Sequence, residues 1–170
     1  MGYCISATLA GISTDCAPNM GGIQKVYITN FQDGLFKLDA SGNTVTGISA
    51  TTWYEYNFRA ESSNFTSTLN KTADGGNYVS TEIVLNFARM ETSKRLEMNA
   101  LALNDMAVVV KDNNNKYWAF GLDRPVQSST GTGETGTAFG DANRYSITLA
   151  STDGNFAPEL TAEAIAALTA

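Results

Sequence analysis

The sequence predicts a mainly β protein with one packed internal helix, an α+β fold. Several runs alternate apolar and polar side chains with a period of two, which is the period of a half-buried strand. Clusters of Gly and Asn separate these runs and predict turns. A single internal run, residues 92–104, changes to the spacing of three and four residues that is typical of a helix.

The first half of the chain consists of strand patterns joined by short turns. Residues 39–43, "DASGN", supply Gly and Asn for the turn of a hairpin. In the run "TWYEYNFR" aromatic side chains alternate with polar ones, as they do in a strand with one buried face. The predicted strands are residues 23–31, 35–38, 45–48, 51–59, 64–70 and 78–89.

The predicted helix places Leu96, Ala100 and Leu103 on one face, and we expect this stripe to face the core. Thr92 or Ser93 can cap its first turn by accepting a hydrogen bond from a backbone N–H. A helix this short is marginal alone, so we expect it to dock on a sheet.

A tight apolar hairpin follows the helix. "MAVVVKD" and "KYWAFGL" are predicted strands, and "NNN" is the turn because Asn tolerates left-handed backbone angles. Both strands are apolar at successive positions, so both faces are expected to be covered. We expect the helix and core to cover one face and a neighbouring subunit to cover the other.

Three segments are predicted to be loosely ordered. Residues 1–22 form an N-terminal arm, and residues 157–170 form an alanine-rich tail whose helix opens at Pro158. Residues 123–143 form a long Gly/Ser/Thr-rich loop before a last strand at 144–152. The body between arm and tail, residues 23–156, is predicted to be a single domain. No second domain boundary is predicted.

The charged residues and the missing histidines exclude several classes of protein. The net charge is −6, so counterion release favours no general binding to DNA. With no histidine, Ser-His-Asp and Cys-His arrangements and most zinc sites are excluded. The carboxylates are scattered, and we predict no catalytic residue, cofactor or metal. No run approaches the ~18 apolar residues of a membrane span.

Two motifs have more than one interpretation. "GTGETG" places Gly131, Gly133 and Gly136 in a GxGxxG pattern, but no strand leads directly into it and no helix pattern begins within it. We therefore interpret it as a flexible loop. Cys4 and Cys16 are interpreted as two small apolar side chains of the arm, and a local disulfide between them is the alternative.

Four stretches resemble a family of small structural proteins of tailed phages that infect Bacteroidales, including the crAss-like phages. The stretches are "GGIQKVYITNF", "ARMETSKRLEMNALALNDMAVVVKDNNNKYWAFGLDRPV", "SSTGTGETGTAFGDANRYSITLAS" and "APEL". The order of elements also resembles the phage tail-tube fold. This resemblance implies an antiparallel β-sandwich or barrel that is flanked by one helix and assembles into rings.

The resemblance further implies a non-enzymatic virion protein of the tail or neck. It would be made in the bacterial cytoplasm and would form a hexameric or dodecameric ring beside other tail, neck or portal proteins. DNA would pass through the lumen during ejection without specific binding, and no membrane is involved. A capsid auxiliary or decoration protein is the first alternative, and a carbohydrate-binding module is the second.

We predict that the subunit interface draws on the hairpin and on the long loop. The hairpin contributes its apolar strand residues, and the loop contributes exposed polar and aromatic ones. The predicted interface residues are Val109, Trp118, Phe120, Thr132, Glu134 and Phe139.

Overall fold

A computed structural model describes residues 9–49 and 52–170 of the chain. Within these residues the chain forms eleven strands and two helices. The strands are β1 Ile23–Asn30, β2 Phe36–Leu38, β3 Thr44–Ile48, β4 Tyr54–Asn57, β5 Asn64–Lys71, β6 Asn77–Ala88, β7 Met106–Asp112, β8 Tyr117–Phe120, β9 Gln127–Glu134, β10 Arg144–Asp153 and β11 Glu159–Leu160. The helices are α1 Thr92–Leu103 and α2 Ala162–Thr169.

The strands form two packed sheets, which confirms the predicted mainly β class. One sheet has seven strands in the order β2-β3-β11-β8-β7-β1-β4, and the other has four in the order β5-β6-β10-β9. All pairs are antiparallel except the short parallel pair of β11 with β3. Neither sheet closes on itself within the described residues.

The main core lies between the two sheets. Val108, Val110 and Phe120 of the seven-stranded sheet face Ile83 and Leu149 of the four-stranded sheet, and all five are fully buried. The Phe65 ring meets the Phe120 ring edge-on at 5.3 Å between centroids, a favourable aromatic geometry. Alternation along β6 and β10 puts one side chain in two into this core.

A second core covers the other face of the β7–β8 hairpin. Val109 and Ala119 on that face pack with Leu160, Ala164 and Leu168 from the C-terminal segment. The expectation that a neighbouring subunit covers this face is therefore wrong, because α2 of the same chain covers it.

The C-terminal segment is anchored more firmly than its alanine content predicts. β11 joins the seven-stranded sheet between β3 and β8, and α2 follows at once. The helix begins at Ala162, where Thr161 Oγ1 accepts a hydrogen bond from the backbone N–H of Ala164. The prediction that Pro158 opens the helix is wrong, because β11 lies between Pro158 and the helix.

Helix α1 lies where it was predicted but presents another face. Leu101 is its buried residue, and Met98 packs against the main core beside it. The predicted core-facing stripe is wrong, because Leu96 is 56% and Leu103 86% exposed. The predicted cap is also wrong: Glu91 occupies the N-cap position, and its side chain makes no capping hydrogen bond.

Part of the predicted long loop, residues 123–143, forms a strand of eight residues. Residues 127–134 form β9, which pairs with β10 from Arg144↔Glu134 to Ala150↔Gln127. Ser, Thr and Gly make up most of this strand. Without an apolar alternation, such a run predicts a loop as long as its pairing with another strand is unknown. A loop remains at residues 135–143.

The remaining strand and turn predictions are largely confirmed. β1, the β2–β3 hairpin and β7–β8 match the predicted runs within a few residues, and Asn115 in the "NNN" turn has φ of 62°. Residues 9–20 have no regular secondary structure and are exposed. Cys16 is exposed in this arm. Cys4 lies outside the described residues, so the choice between the two cysteine interpretations stays open.

Truncating Leu168 tests how firmly α2 closes the second core. Because Leu168 is only 4% exposed, Leu168→Ala should lower the free energy of unfolding by about 2–5 kcal/mol. Leu103→Ala, at a helix residue that is 86% exposed, should change it by less than about 0.5 kcal/mol. Urea denaturation measures both. Equal small effects would contradict the docking of α2.

Candidate subunit interface

The four-stranded sheet ends in two open edges. β5 and β9 are its outer strands, and neither pairs with a further strand among the described residues. β5 runs antiparallel to β6, β6 to β10 and β10 to β9. The two edge strands therefore run in opposite directions. Unpaired N–H and C=O groups on such edges are able to add another strand.

The outward face of the same sheet is rich in hydroxyl groups. Its residues alternate along each strand with the inward residues of the main core, and the cross-strand pairs place them side by side. The Ser, Thr and Asn residues of this outward face are Asn64, Thr66, Thr68, Asn70, Ser80, Asn86, Thr130, Thr132, Ser146, Thr148 and Thr152.

Few charges interrupt this outward face. Glu82 is exposed at its middle. Glu134 and Arg144 face each other at one end, where Arg144 Nε donates to Glu134 Oε1 at 2.7 Å. The opposite charges of Glu134 and Arg144 cancel, so Glu82 leaves the face with a net charge of about −1, and the face has no basic stripe.

Gly131 and Gly133 of the "GTG" run lie within edge strand β9, so the interpretation of this run as a flexible loop is wrong for these residues. Gly131 pairs with Ile147 and Gly133 with Tyr145, so both face the inner side of the sheet. A Cβ at Gly133 would lie 2.9 Å from the Tyr145 ring, so glycine leaves room for that ring. A Cβ at Gly131 would meet Met98 Cε of α1 at 3.5 Å, which is an ordinary van der Waals contact. No helix begins at Gly136, which agrees with rejecting a phosphate loop.

The predicted hairpin residues are occupied within the chain. Val109 and Phe120 are buried in the second and the main core respectively, so they have no surface to offer a neighbour. Trp118 is half-buried, and its Nε1 donates to Asp112 Oδ2 at 3.0 Å. That bond closes the hairpin turn together with the two backbone N–H groups that Asp112 Oδ1 accepts.

The predicted loop residues are all exposed. Thr132 and Glu134 lie on the outward side of edge strand β9, and Phe139 stands at the tip of the remaining loop. The structure therefore brings Thr132 and Glu134 together on one sheet edge, near the end of the sheet from which Phe139 projects. Whether a second copy contacts them stays a prediction.

Sequence reasoning missed two exposed features. One is the outer side of α1 with Leu96 and Leu103, beside the 60% exposed Tyr54. The other is the pair of open sheet edges. Helical periodicity identifies a stripe without saying whether the stripe or its flank faces the core, and only strand order identifies an edge.

Two shallow grooves adjoin α1. A groove of about 410 Å³ lies between α1 and β9 and is lined by residues such as Met98, Gly131 and Ile147. A groove of about 300 Å³ lies between the other side of α1 and strands β1 and β4. Tyr56 in this second groove donates to Glu97 Oε2 at 2.9 Å, and burial together with this bond raises the pKa of the tyrosine.

The titratable residues that line the grooves are Tyr54, Tyr56 and Glu97 in the 300 Å³ groove and Arg95 and Tyr145 in the 410 Å³ groove. Within residues 9–49 and 52–170 no group of three or more His, Cys, Asp or Glu residues is placed to hold a metal ion. Asp153 lies apart from the grooves beside Ser151, whose hydroxyl donates to it at 2.9 Å. Burial raises the pKa of Asp153 above its usual value. No helix in the described part of the chain is long and apolar enough to span a membrane.

Comparison with known proteins yields no relative. No protein-family model matches the chain, no curated protein is significantly similar to it, and no solved structure matches its fold at a significant level.

Replacing Asp153 with Asn tests its buried carboxylate. Its folded-state pKa is raised, so the charged form costs stability at neutral pH and this cost disappears as the pH falls through that pKa. Asp153→Asn should therefore raise the free energy of unfolding at pH 7, and its advantage over the wild type should shrink toward pH 4. Urea titrations at both pH values measure this, with Asp33→Asn, at an exposed turn, as control. A variant less stable than the wild type at pH 7 would contradict the interpretation.

Proposed function

We propose that this chain is a structural subunit of a tailed-phage virion, which forms a ring of the tail or neck around a DNA channel. The observation that carries the proposal is the four-stranded antiparallel sheet with two open edges of opposite direction and a hydroxyl-rich outward face.

The even number of strands suits a head-to-tail ring. When copies stand side by side in the same orientation, β9 of one copy comes beside β5 of the next. Because these two edges run in opposite directions, the new pair is antiparallel and the sheet continues unchanged around the ring. A closed ring of such contacts leaves no edge of the four-stranded sheet unpaired, as closure does in a barrel.

The outward face of the four-stranded sheet has the chemistry of a channel wall for DNA. Hydroxyl and amide groups keep this face hydrated. Its charged residues, the Glu134–Arg144 pair and Glu82, provide no unpaired cation that could bind phosphates. A wall that binds a polyanion would slow its passage, because each phosphate contact adds affinity by counterion release. The net charge of −6 acts in the same direction.

The architecture behind this wall also supports the proposal. The seven-stranded sheet packs against the four-stranded sheet on one face and against α2 on the other, so these two elements form an outer layer behind the wall. Helix α1 flanks the two sheets, as one helix does in the tail-tube arrangement that the sequence resembles. We assign the chain to a tail-tube type of fold within this proposal.

Oligomer formation is the direct test. Native mass spectrometry and negative-stain electron microscopy of the purified chain, in concentrated and low-salt solution, should reveal closed rings of one symmetry. Imaging of intact particles should place them in the tail or neck in tens of copies. A decoration protein would instead occur in hundreds of copies on the capsid.

Charged substitutions on the two edge strands test whether β5 and β9 form the contact between neighbouring copies. Asn64 of β5 and Thr130 of β9 are exposed on the outward side of the sheet and lie in one row across it, through Val84 and Thr148. The double variant Asn64→Lys/Thr130→Lys places like charges on both partners of every contact between copies and should weaken each by about 0.2–1 kcal/mol, summed around the ring. Asn64→Glu/Thr130→Lys is the matched control and should retain rings.

Rings are measured for both double variants by sedimentation at low salt, after circular dichroism shows that each is folded. Equal ring formation by the two variants would show that these edges do not meet. A folded wild type that stays monomeric under all conditions would overturn the proposed function.

A further inference from the structure

The loop of residues 135–143 holds an aromatic ring in water. Phe139 at its tip is 113% exposed, and so has no apolar neighbour among the described residues. The loop is nevertheless braced: Asp141 Oδ2 accepts the backbone N–H of Thr137 at 2.8 Å and that of Ala138 at 2.7 Å. These bonds lower the pKa of Asp141. A preformed loop lowers the entropy cost of burying its tip against a partner.

The loop is fixed to one end of the sandwich. Asn143 O accepts the backbone N–H of Arg89 at 2.7 Å, and Asn143 Oδ1 accepts that of Met90 at 2.9 Å. These residues lie where β6 ends and just before α1 begins. Phe139 therefore projects from the end of the molecule at which α1 starts.

The 300 Å³ groove lies at the opposite end. It is lined by the C-terminal half of α1, with Ala100 and Leu101, and by the strand ends Asn30, Tyr54 and Met106. β1 begins beside Ser63, whose carbonyl accepts the N–H of Ile23, and ends opposite Met106. α1 runs between the same two ends, and its groove-lining residues begin at Glu97, so the first turn of the helix separates the loop from the groove.

Four of the polar side chains that line the groove already make hydrogen bonds within the chain, which favours an apolar guest. Tyr56 donates to Glu97, Thr29 Oγ1 donates to the Thr52 carbonyl at 2.8 Å, and Asn104 Nδ2 donates to the Ala100 carbonyl at 2.9 Å.

The rim of the groove is apolar as well. The exposed ring of Tyr54 lines it, and exposed Leu103 follows Ala100 by one helical turn. An aromatic ring that enters here displaces water from apolar surface and leaves few polar groups unpaired.

We propose that Phe139 of one copy inserts into this groove on a second copy, so that copies stack head to tail. The occupant is a second copy because the projecting ring and the matching groove lie at opposite ends of the same chain, which is the arrangement of a heterologous contact. The inference rests on the self-assembly proposed above, but it uses surfaces other than the β5 and β9 edges.

The area of the contact indicates where it operates. One phenylalanine buries about 150–250 Å², whereas a stable interface buries about 1,200–2,000 Å² in total. A single Phe139 contact is too small to hold two copies together. Repeated around a ring, the same contact gains strength through multivalency and joins one ring to the next.

Site-specific photo-crosslinking tests the proposal. A photoreactive benzoylphenylalanine replaces Phe139, the assembled full-length chain is irradiated, and crosslinked peptides are identified by mass spectrometry. We expect crosslinks between copies that map to Tyr54 or to α1 between Leu96 and Leu103. Crosslinks that map elsewhere, or none in assembled material, would overturn the inference while leaving the ring proposal intact.

The Asn64→Lys/Thr130→Lys variant separates the two proposals. Loss of rings in this variant, together with Phe139 crosslinks to the groove in the wild type, would support both. Crosslinks to the groove in the wild type together with unimpaired rings in this variant would support the stacking contact alone. A wild type that forms only monomers would overturn both.

Substitutions measure what the contact contributes. Phe139→Ser should weaken ring stacking by roughly 10–100-fold, as loss of an interface anchor does. Asp141→Ala should weaken stacking less, because the ring remains but its loop loses its brace. Leu38→Ser, at another exposed apolar residue, is the matched control and should leave stacking unchanged. Stack length in electron micrographs is the readout. Equal stacking by Phe139→Ser and wild type would contradict the inference.

Discussion

The burial of the β7–β8 hairpin on both of its faces determines the rest of this structure. Val108 and Val110 face one side of the hairpin strands and Val109 and Ala119 the other, and all are fully buried. The four-stranded sheet covers one side of the hairpin, and β11 and α2 cover the other. The hairpin thus fixes a layered body in which the seven-stranded sheet lies in the middle. Apolar burial on this scale is the main favourable contribution to folding.

This arrangement leaves the four-stranded sheet with one buried and one wetted face. Its inner side completes the main core, so its outer side is free to carry Ser, Thr and Asn. The edges are free as well, since β5 and β9 pair with no further strand among the described residues and α1 packs on the inner side of β9 near Gly131. The surfaces proposed for assembly are those that the core does not use. They form a polar wall, two open edges, a braced aromatic loop and an end groove.

Much of the fold was predictable because its signals are local. Two-residue alternation located most strands, the change of period located α1, and the Asn-rich turn located the β7–β8 hairpin. β9 has no apolar side chain to alternate with its polar ones, and its two glycines are of a type depleted in strands, so the sequence pattern resembled a loop until its pairing with β10 was known. The interface residues divide in the same way. Thr132, Glu134 and Phe139 are exposed, so their interface role stays a prediction, while burial within the chain leaves Val109 and Phe120 no surface for such a role.

The sequence by itself determined the class, the turns, the lack of any histidine chemistry and the acidic character of this protein, because each depends on composition or on neighbours along the chain. Only the tertiary structure decided which face of α1 is buried, that α2 covers the hairpin, and which strands are edges. Those outcomes depend on contacts between residues far apart in sequence. A periodic pattern defines a face of an element, but the partner that meets this face is chosen by packing of the whole chain.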